Sequence, residues 1–149
     1  MSRILGLDYG SVRVGVAISD ALHLTAQGQS FIKNDEALIP TILQLIESRD
    51  IDKIILGNPL HLSGQESQKS EEVRQFQQQL QTQTSCEIIL RDERLSTKAA
   101  QRHLIEMDVS RQKRKQKIDS MAAVFMLQGY LDAQTTSVRT QGIDITQMN

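Results

Sequence analysis

Two apolar runs stand almost end to end at the N-terminus and leave little freedom in how the chain begins. Arg3-Ile4-Leu5-Gly6-Leu7-Asp8-Tyr9 reads as one strand. Val12, Val14, Val16 and Ile18 alternate with Arg13, Gly15, Ala17 and Ser19, the period of two that marks a second. Only Gly10 and Ser11 separate them. Glycine first in a two-residue loop suits a type II′ turn, because that position needs φ > 0. The predicted hairpin sets Tyr9 opposite Val12 and Asp8 opposite Arg13. A weaker third strand lies around Gln27–Lys33.

The rest of the chain alternates helix and strand. Asp35-Glu36 opens a helical pattern with Leu38, Ile42, Leu45 and Ile46 on one face, and Pro40 places its true start near Ile39. Ile54-Ile55-Leu56, within Lys53–Gly57, is a short apolar run that fits a strand buried on both faces. Asn58-Pro59 and Ser63-Gly64 punctuate a loop. Val73, Phe76 and Leu80 mark one face of a helix from about Glu66 to Gln83, whose other face is rich in solvated glutamine. Glu87–Arg91 is the next strand. Ser96 or Thr97 caps a predicted helix running to about Met107, and Ile118–Asp132 is the last strong helix.

A leading antiparallel meander followed by β-α-β units gives an α/β fold with one mixed sheet. Short loops make the first three strands neighbours. Right-handed crossovers place the later two beside the first and parallel to it. The predicted sheet is therefore five-stranded, in the order 3-2-1-4-5, with the first strand central and helices on both faces. In such sheets ligands meet the carboxyl ends of the central parallel strands.

At 149 residues the chain has the length of one domain. We expect that domain to span residues 1–133, followed by a polar tail at 134–149 with no periodicity. Hydrophobic residues are 39% and charged residues 23%, which excludes a disordered polyelectrolyte. No apolar run reaches the roughly 20 residues of a membrane span, and no signal peptide is visible. The single cysteine, Cys86, excludes an internal disulfide and a cysteine metal cluster, so a cytoplasmic location is expected. Aromatic residues are 3%, with no tryptophan, which argues against a broad base-stacking surface.

The net charge of −1 conceals an asymmetry. Residues 91–117 hold nine Lys/Arg against four Asp/Glu, leaving eight against 14 elsewhere. The sharpest part holds Arg111, Lys113, Arg114, Lys115 and Lys117 within seven residues. Such a run is either a solvated loop or a contact for phosphates.

Acids stand at the ends of the predicted strands. Asp8 closes the central strand, Asp92-Glu93 closes the fifth, and Asp119 begins the last helix. Each has a plain structural alternative. Asp8 would pair with Arg13 across the hairpin, and the others would favour the positive poles of the helices they precede. The topology nevertheless brings all of them toward one end of the sheet. Three converging carboxylates need a counter-charge, which Mg²⁺ or Mn²⁺ supplies through hard oxygen ligands. Two such ions roughly 4 Å apart activate water and stabilise the leaving oxygen of a phosphodiester. The basic run would then hold the polyanionic substrate.

The segment Leu7-Asp8-Tyr9-Gly10-Ser11-Val12-Arg13-Val14-Gly15-Val16-Ala17-Ile18-Ser19-Asp20 resembles the opening of the YqgF/RuvX family. Gly57 and Pro59-Leu60 followed by Gly64, then Asp92-Glu93-Arg94-Leu95-Ser96-Thr97, then Ile118-Asp119 with Ala122-Ala123 and Tyr130-Leu131, match three further blocks in order. The resemblance covers about residues 3–132. It implies a ribonuclease-H-like fold. It also implies a nuclease, described for the family as acting on Holliday junctions or on the 5′ end of precursor 16S ribosomal RNA. It makes Asp8, Glu93 and Asp119 the implied catalytic and metal-binding acids, with Mg²⁺ or Mn²⁺ as cofactor. Asp92 remains the alternative to Glu93, since neighbouring strand residues face opposite ways. Glu93 is preferred for its longer reach. Arg13, Arg94 and Thr97 are candidates for phosphate contact, as are Arg111, Lys113, Arg114, Lys115 and Lys117. The chain departs from the family at Asn58, where an apolar residue is usual, and at His61-Leu62-Ser63.

The expected partner is nucleic acid, structured RNA ahead of junction DNA, with no membrane. A non-catalytic binding module or ribosome-assembly factor would use the basic run without needing the acids. Sugar-kinase-like ATPases also open with an Asp-x-Gly hairpin, but they need two such lobes and this chain supplies one.

Overall fold

β1 (Arg3–Asp8), β2 (Arg13–Ser19), β3 (Ala26–Lys33), β4 (Ile51–Asn58) and β5 (Glu87–Asp92) form one sheet in the order β3-β2-β1-β4-β5. The computed structural model describes residues 2–58, 68–92 and 121–134. α1 (Leu38–Ser48) connects β3 to β4, and α2 (Gln68–Gln81) lies between β4 and β5. A third helix, α3, covers residues 121–134. β1 pairs antiparallel with β2 and parallel with β4, so the central strand joins the meander to the crossover half. The predicted strand order is the observed one. The helix expected from Ser96 or Thr97 to Met107, the basic run and the tail from 135 onward lie outside the described residues.

Strand pleating sorts the apolar residues into two cores. Leu5 and Leu7 of β1, Val14, Val16 and Ile18 of β2, and Ile54 and Leu56 of β4 face one side. There they meet Leu38 and Ile42 of α1 and Val73, Phe76 and Leu80 of α2. Each of these α2 side chains contributes roughly 1.5–3 kcal/mol by burial, which fixes the helix despite its glutamine-rich outer face. Ile4, Ala17 and Ile55 face the other side and meet Ala123, Met126, Leu127, Tyr130 and Leu131 of α3. β2 is thus buried on both faces.

Two details tie the central strands together. The Ile4 amide donates to Ser19 Oγ at 2.9 Å, and that hydroxyl donates to the Asp20 carbonyl at 3.0 Å, satisfying a polar side chain inside the sheet. Cys86 is buried as a small apolar residue, its Sγ 3.3 Å from the Ile51 carbonyl oxygen. Pro40 is the third residue of α1, where its missing N–H costs no helical bond.

The hairpin register differs from the expected one. Asp8 stands opposite Gly15, and Leu7 opposite Val16, so Asp8 does not face Arg13. Residues 9–12 all lie between the strands. Gly10 is not in the left-handed region, so the loop is no type II′ turn. The cause lies 24 residues away in sequence. Asn34 donates from Nδ2 to the Gly10 carbonyl at 2.7 Å and from its amide to the Val12 carbonyl at 2.9 Å. Those bonds hold the loop open and draw it toward the end of β3. Gly10 is required by space: a Cβ there would lie 2.5 Å from the Arg13 carbonyl oxygen.

Candidate functional site

Asp8 ends the central strand on the face that carries Ile4 and Gly6, toward α3, and is half-buried. On one side its partner across β2 is Gly15. On the other, one step beyond the Leu7–Leu56 pair, comes Gly57 of β4. Gly57 in turn pairs with Arg91 of β5. The carboxylate is therefore flanked in both neighbouring strands by residues with no side chain. Glycine inside a strand marks a place where something else approaches the backbone.

α3 crosses this face with its chain direction opposed to β1. Its later residues sit over the amino end of the sheet: Leu131 packs with Ile4, and Lys53 Nζ donates to Tyr130 Oη at 3.3 Å. Its earlier residues sit over Gly6, where a Cβ would lie 3.0 Å from Leu127 Cβ and 3.4 Å from the Ala123 carbonyl. Gly6 thus permits a close approach of helix to strand. The amino end of α3 points toward the carboxyl edge of the sheet, where β1, β4 and β5 finish. Gln128 fixes the helix laterally, accepting from the Ala26 amide and donating to the Leu24 carbonyl, both at 2.9 Å.

The expected site residues divide by position. Asp8 and Arg13 are described. The Asp92 backbone closes β5 opposite Asn58. Glu93, Arg94, Thr97, Arg111, Lys113, Arg114, Lys115, Lys117 and Asp119 lie outside the described residues. Among the described residues no three His, Cys, Asp or Glu side chains form a group that could hold a metal ion. Arg13 sets its guanidinium 4.9 Å from the centroid of the Phe31 ring.

One contributor escapes a reading of sequence alone. Asn58, which departs from the family pattern, accepts a 2.5 Å hydrogen bond from the hydroxyl of Ser70 in α2. Ser70 is fully buried. The pair ties the end of β4 to the first turns of α2 at the site edge of the sheet. Its only sequence signal is a polar residue where an apolar one is usual. Elsewhere the carboxylates have structural work: Asp20 accepts from the amides of Leu24 and Thr25 at 2.7 and 3.0 Å. The Thr25 bond leads in holding its carboxyl below the usual value. A groove of about 550 Å³ between α1 and α2 is lined by Ile39, Pro40 and glutamines and carries no acid. No helix among the described residues is long and apolar enough to cross a membrane.

Known proteins resemble this chain over most of its length. The family model described as RuvX, Holliday junction resolvase, matches residues 2–133. A protein of Desulfitobacterium hafniense named "Putative pre-16S rRNA nuclease" is 46% identical over 130 residues, covering 87% of this chain and 92% of its own. A relative of the same name from Bacillus cereus is 47% identical over 135 residues, covering 88% and 98%. Among solved structures, Thermus thermophilus RuvC bound to a Holliday junction substrate superposes with a TM-score of 0.58 at 10% identity, covering 91% of this chain and 97% of that one. The fowlpox virus resolvase with junction DNA gives 0.56 at 15% identity, with 89% and 98% covered. The structural likenesses show the ribonuclease-H-like fold.

Proposed function

The chain belongs to the RuvX family, and from that premise we propose that it is a metal-dependent nuclease whose substrate is structured nucleic acid, foremost the 5′ end of precursor 16S rRNA. The observation that carries this reading is Asp8: a carboxylate at the carboxyl end of the central strand, with Gly15 and Gly57 beside it. That is where a parallel sheet meets its ligand.

Asp8, Glu93 and Asp119 are the acids of the site. Ile89 packs toward α3 and Arg91 lies beside Gly129 of α3, and the same alternation carried past Asp92 reaches residue 93. This supports Glu93 over Asp92. Asp119 stands two residues before the first described residue of α3, and the chain spans at most about 3.6 Å per residue. The direction of α3 therefore supports Asp119 as the third acid.

This donor set offers only carboxylate oxygens, which fits Mg²⁺ or Mn²⁺. When bound, a pair of such ions supplies an activated water and neutralises charge at the leaving oxygen. The side chains then have distinct tasks. Asp8 would hold the ions together with Glu93 and Asp119. Arg94 and Thr97 hold the phosphate being cut, and Arg13 contacts a phosphate further along the same strand. The cations at Arg111, Lys113, Arg114, Lys115 and Lys117 raise affinity for the backbone independently of sequence. Hydrolysis is direct, with no covalent intermediate.

The test is incubation of the protein with precursor 16S rRNA and with four-way junction DNA, with Mg²⁺, with Mn²⁺ and with chelator. Cutting of the RNA that stops in EDTA and is abolished by Asp8→Asn, with melting temperature retained, is the expected result. Undiminished cutting in EDTA would refute the mechanism. Cutting of the junction alone would assign the protein to DNA.

A further inference from the structure

The β2–β3 side of Asp8 carries a group of residues that the nuclease reading does not explain. At the end of β3 the ladder is irregular: Val14 pairs with Ile32 but Val16 pairs with Gln29. Ser30 and Phe31 therefore share the single partner Gly15, which is also the partner of Asp8. The bulge turns Phe31 outward, leaving it 45% exposed. It is the one exposed aromatic among the described residues. Arg13 lies over its ring, and Arg13 pairs directly with Lys33.

The surroundings are held rigidly for a loop. Asn34 fixes Gly10 and Val12 from the end of β3, and Asp35 Oδ1 accepts from the Ala37 amide at 2.9 Å. A cleft of about 490 Å³ opens between this edge and α1, on the sheet face opposite Asp8, with Ser30, Phe31, Lys33, Asp35 and Thr41 on its wall. β3 is an edge strand, so the cleft is reached from the side. Two strand spacings separate Phe31 from Asp8, roughly 10 Å. That distance matches about three stacked nucleotides of one strand.

We propose that Phe31, Arg13 and Lys33 form a platform for an unpaired nucleotide of the substrate strand, its base on the Phe31 ring and its phosphates on the two cations. The proposal rests on the nuclease reading and adds to it a preference: a single-stranded segment beside the structured part. A lone exposed ring flanked by cations is the arrangement that binds single strands without regard to sequence.

The experiment uses the full chain, in chelator, with a labelled RNA stem carrying a single-stranded overhang and the same stem made blunt. Wild type binds the overhang form more tightly. Phe31→Leu weakens overhang binding roughly five- to 150-fold, the range for removal of one base stack, and leaves blunt binding and the melting temperature unchanged. Phe31→Tyr, which keeps the ring, retains the preference. Lys33→Gln lowers the salt slope on the overhang RNA by about 0.7. Equal affinity of Phe31→Leu and wild type for the overhang, or an equal loss on both RNAs, overturns the platform while leaving a nuclease that binds and cuts. A wild type that binds neither RNA in chelator, and cuts neither when Mg²⁺ or Mn²⁺ is supplied, overturns the nuclease reading, and the platform with it.

Discussion

Gly6→Ala tests how α3 is seated over the central strand. The added Cβ would meet Leu127 Cβ at 3.0 Å and the Ala123 carbonyl at 3.4 Å. Ordinary carbon contacts lie at about 3.5–4.0 Å, so α3 must lift by roughly 0.5–1 Å. A Cβ cannot rotate away, and Leu127 is fully buried, so the strain falls on the helix as a whole. Overpacking of this kind costs about 1–3 kcal/mol. Loss of glycine's freedom in the unfolded chain offsets about 0.4–1 kcal/mol. A net loss of about 1–2 kcal/mol lowers the melting temperature by roughly 2–8 °C for a chain of this size. Urea and thermal unfolding measure it directly. The same lift moves the amino end of α3 relative to Asp8, and a misplacement near 1 Å can cost about a hundredfold in rate. The cutting rate should therefore fall much further than RNA affinity. A variant as stable and as active as wild type would refute the close seating of α3.

Asn58→Ala and Ser70→Ala should each destabilise by about 1 kcal/mol through loss of a buried hydrogen bond, and the double variant should cost less than the two singly combined. Strict additivity in urea unfolding would mean that the two side chains act apart. Asp20 has its carboxyl lowered from 3.8 in the folded state, chiefly by the Thr25 amide. Its stabilisation is therefore present above that unfolded value and lost as pH falls through the lower folded one. Melting curves of wild type and Asp20→Ala should differ at neutral pH and converge in acid; a gap that persists in acid would place the effect elsewhere. Replacing Lys113, Arg114 and Lys115 together by Ala should weaken binding of all RNAs alike and reduce the slope of log K against log salt by about 0.7–0.9 for each phosphate no longer neutralised. Unchanged affinity and slope would make the run a bystander. Millimolar Mn²⁺ should raise the melting temperature of wild type, by an amount corresponding to about 2.7 kcal/mol at a hundredfold excess over Kd. Asp119→Asn should shrink that response, and equal responses would remove Asp119 from the ligand set.

β2 was legible because its apolar residues recur with period two, β4 because Ile54-Ile55-Leu56 is a short continuous apolar run, and α2 because Val73, Phe76 and Leu80 recur with the period of a helix. Those patterns also dictate which face each element buries, so the sheet order and the two-sided covering follow. The register of β1 on β2 was not legible. It depends on Asn34, whose bonds to Gly10 and Val12 form only when the third strand is in place. A local turn rule has no access to those bonds. Asp8 was visible as a charge ending an apolar strand. Its glycine neighbours, Gly15 and Gly57, become neighbours only through pairing, and Gly15 alone reads as an ordinary small residue in an alternating run. Phe31 was hidden for a similar reason, since a bulge rather than sequence periodicity decides that it faces out.

The placement of β1 at the centre has a consequence for the order of synthesis. Its antiparallel partner is complete by Ser19, whereas its parallel partner begins only at Ile51 and the helix over Gly6 only near residue 121. Close pairings form early and distant ones late, and chains fold from the amino end as they emerge. A nascent chain therefore holds Asp8 in a finished hairpin long before Ile4, Ala17 and Ile55 are covered. That half-made sheet is an aggregation hazard that lasts until α3 arrives. It also means that truncation anywhere before α3 removes the helix half of the second core rather than trimming it, so no product ending before α3 keeps Ile4, Ala17 and Ile55 covered.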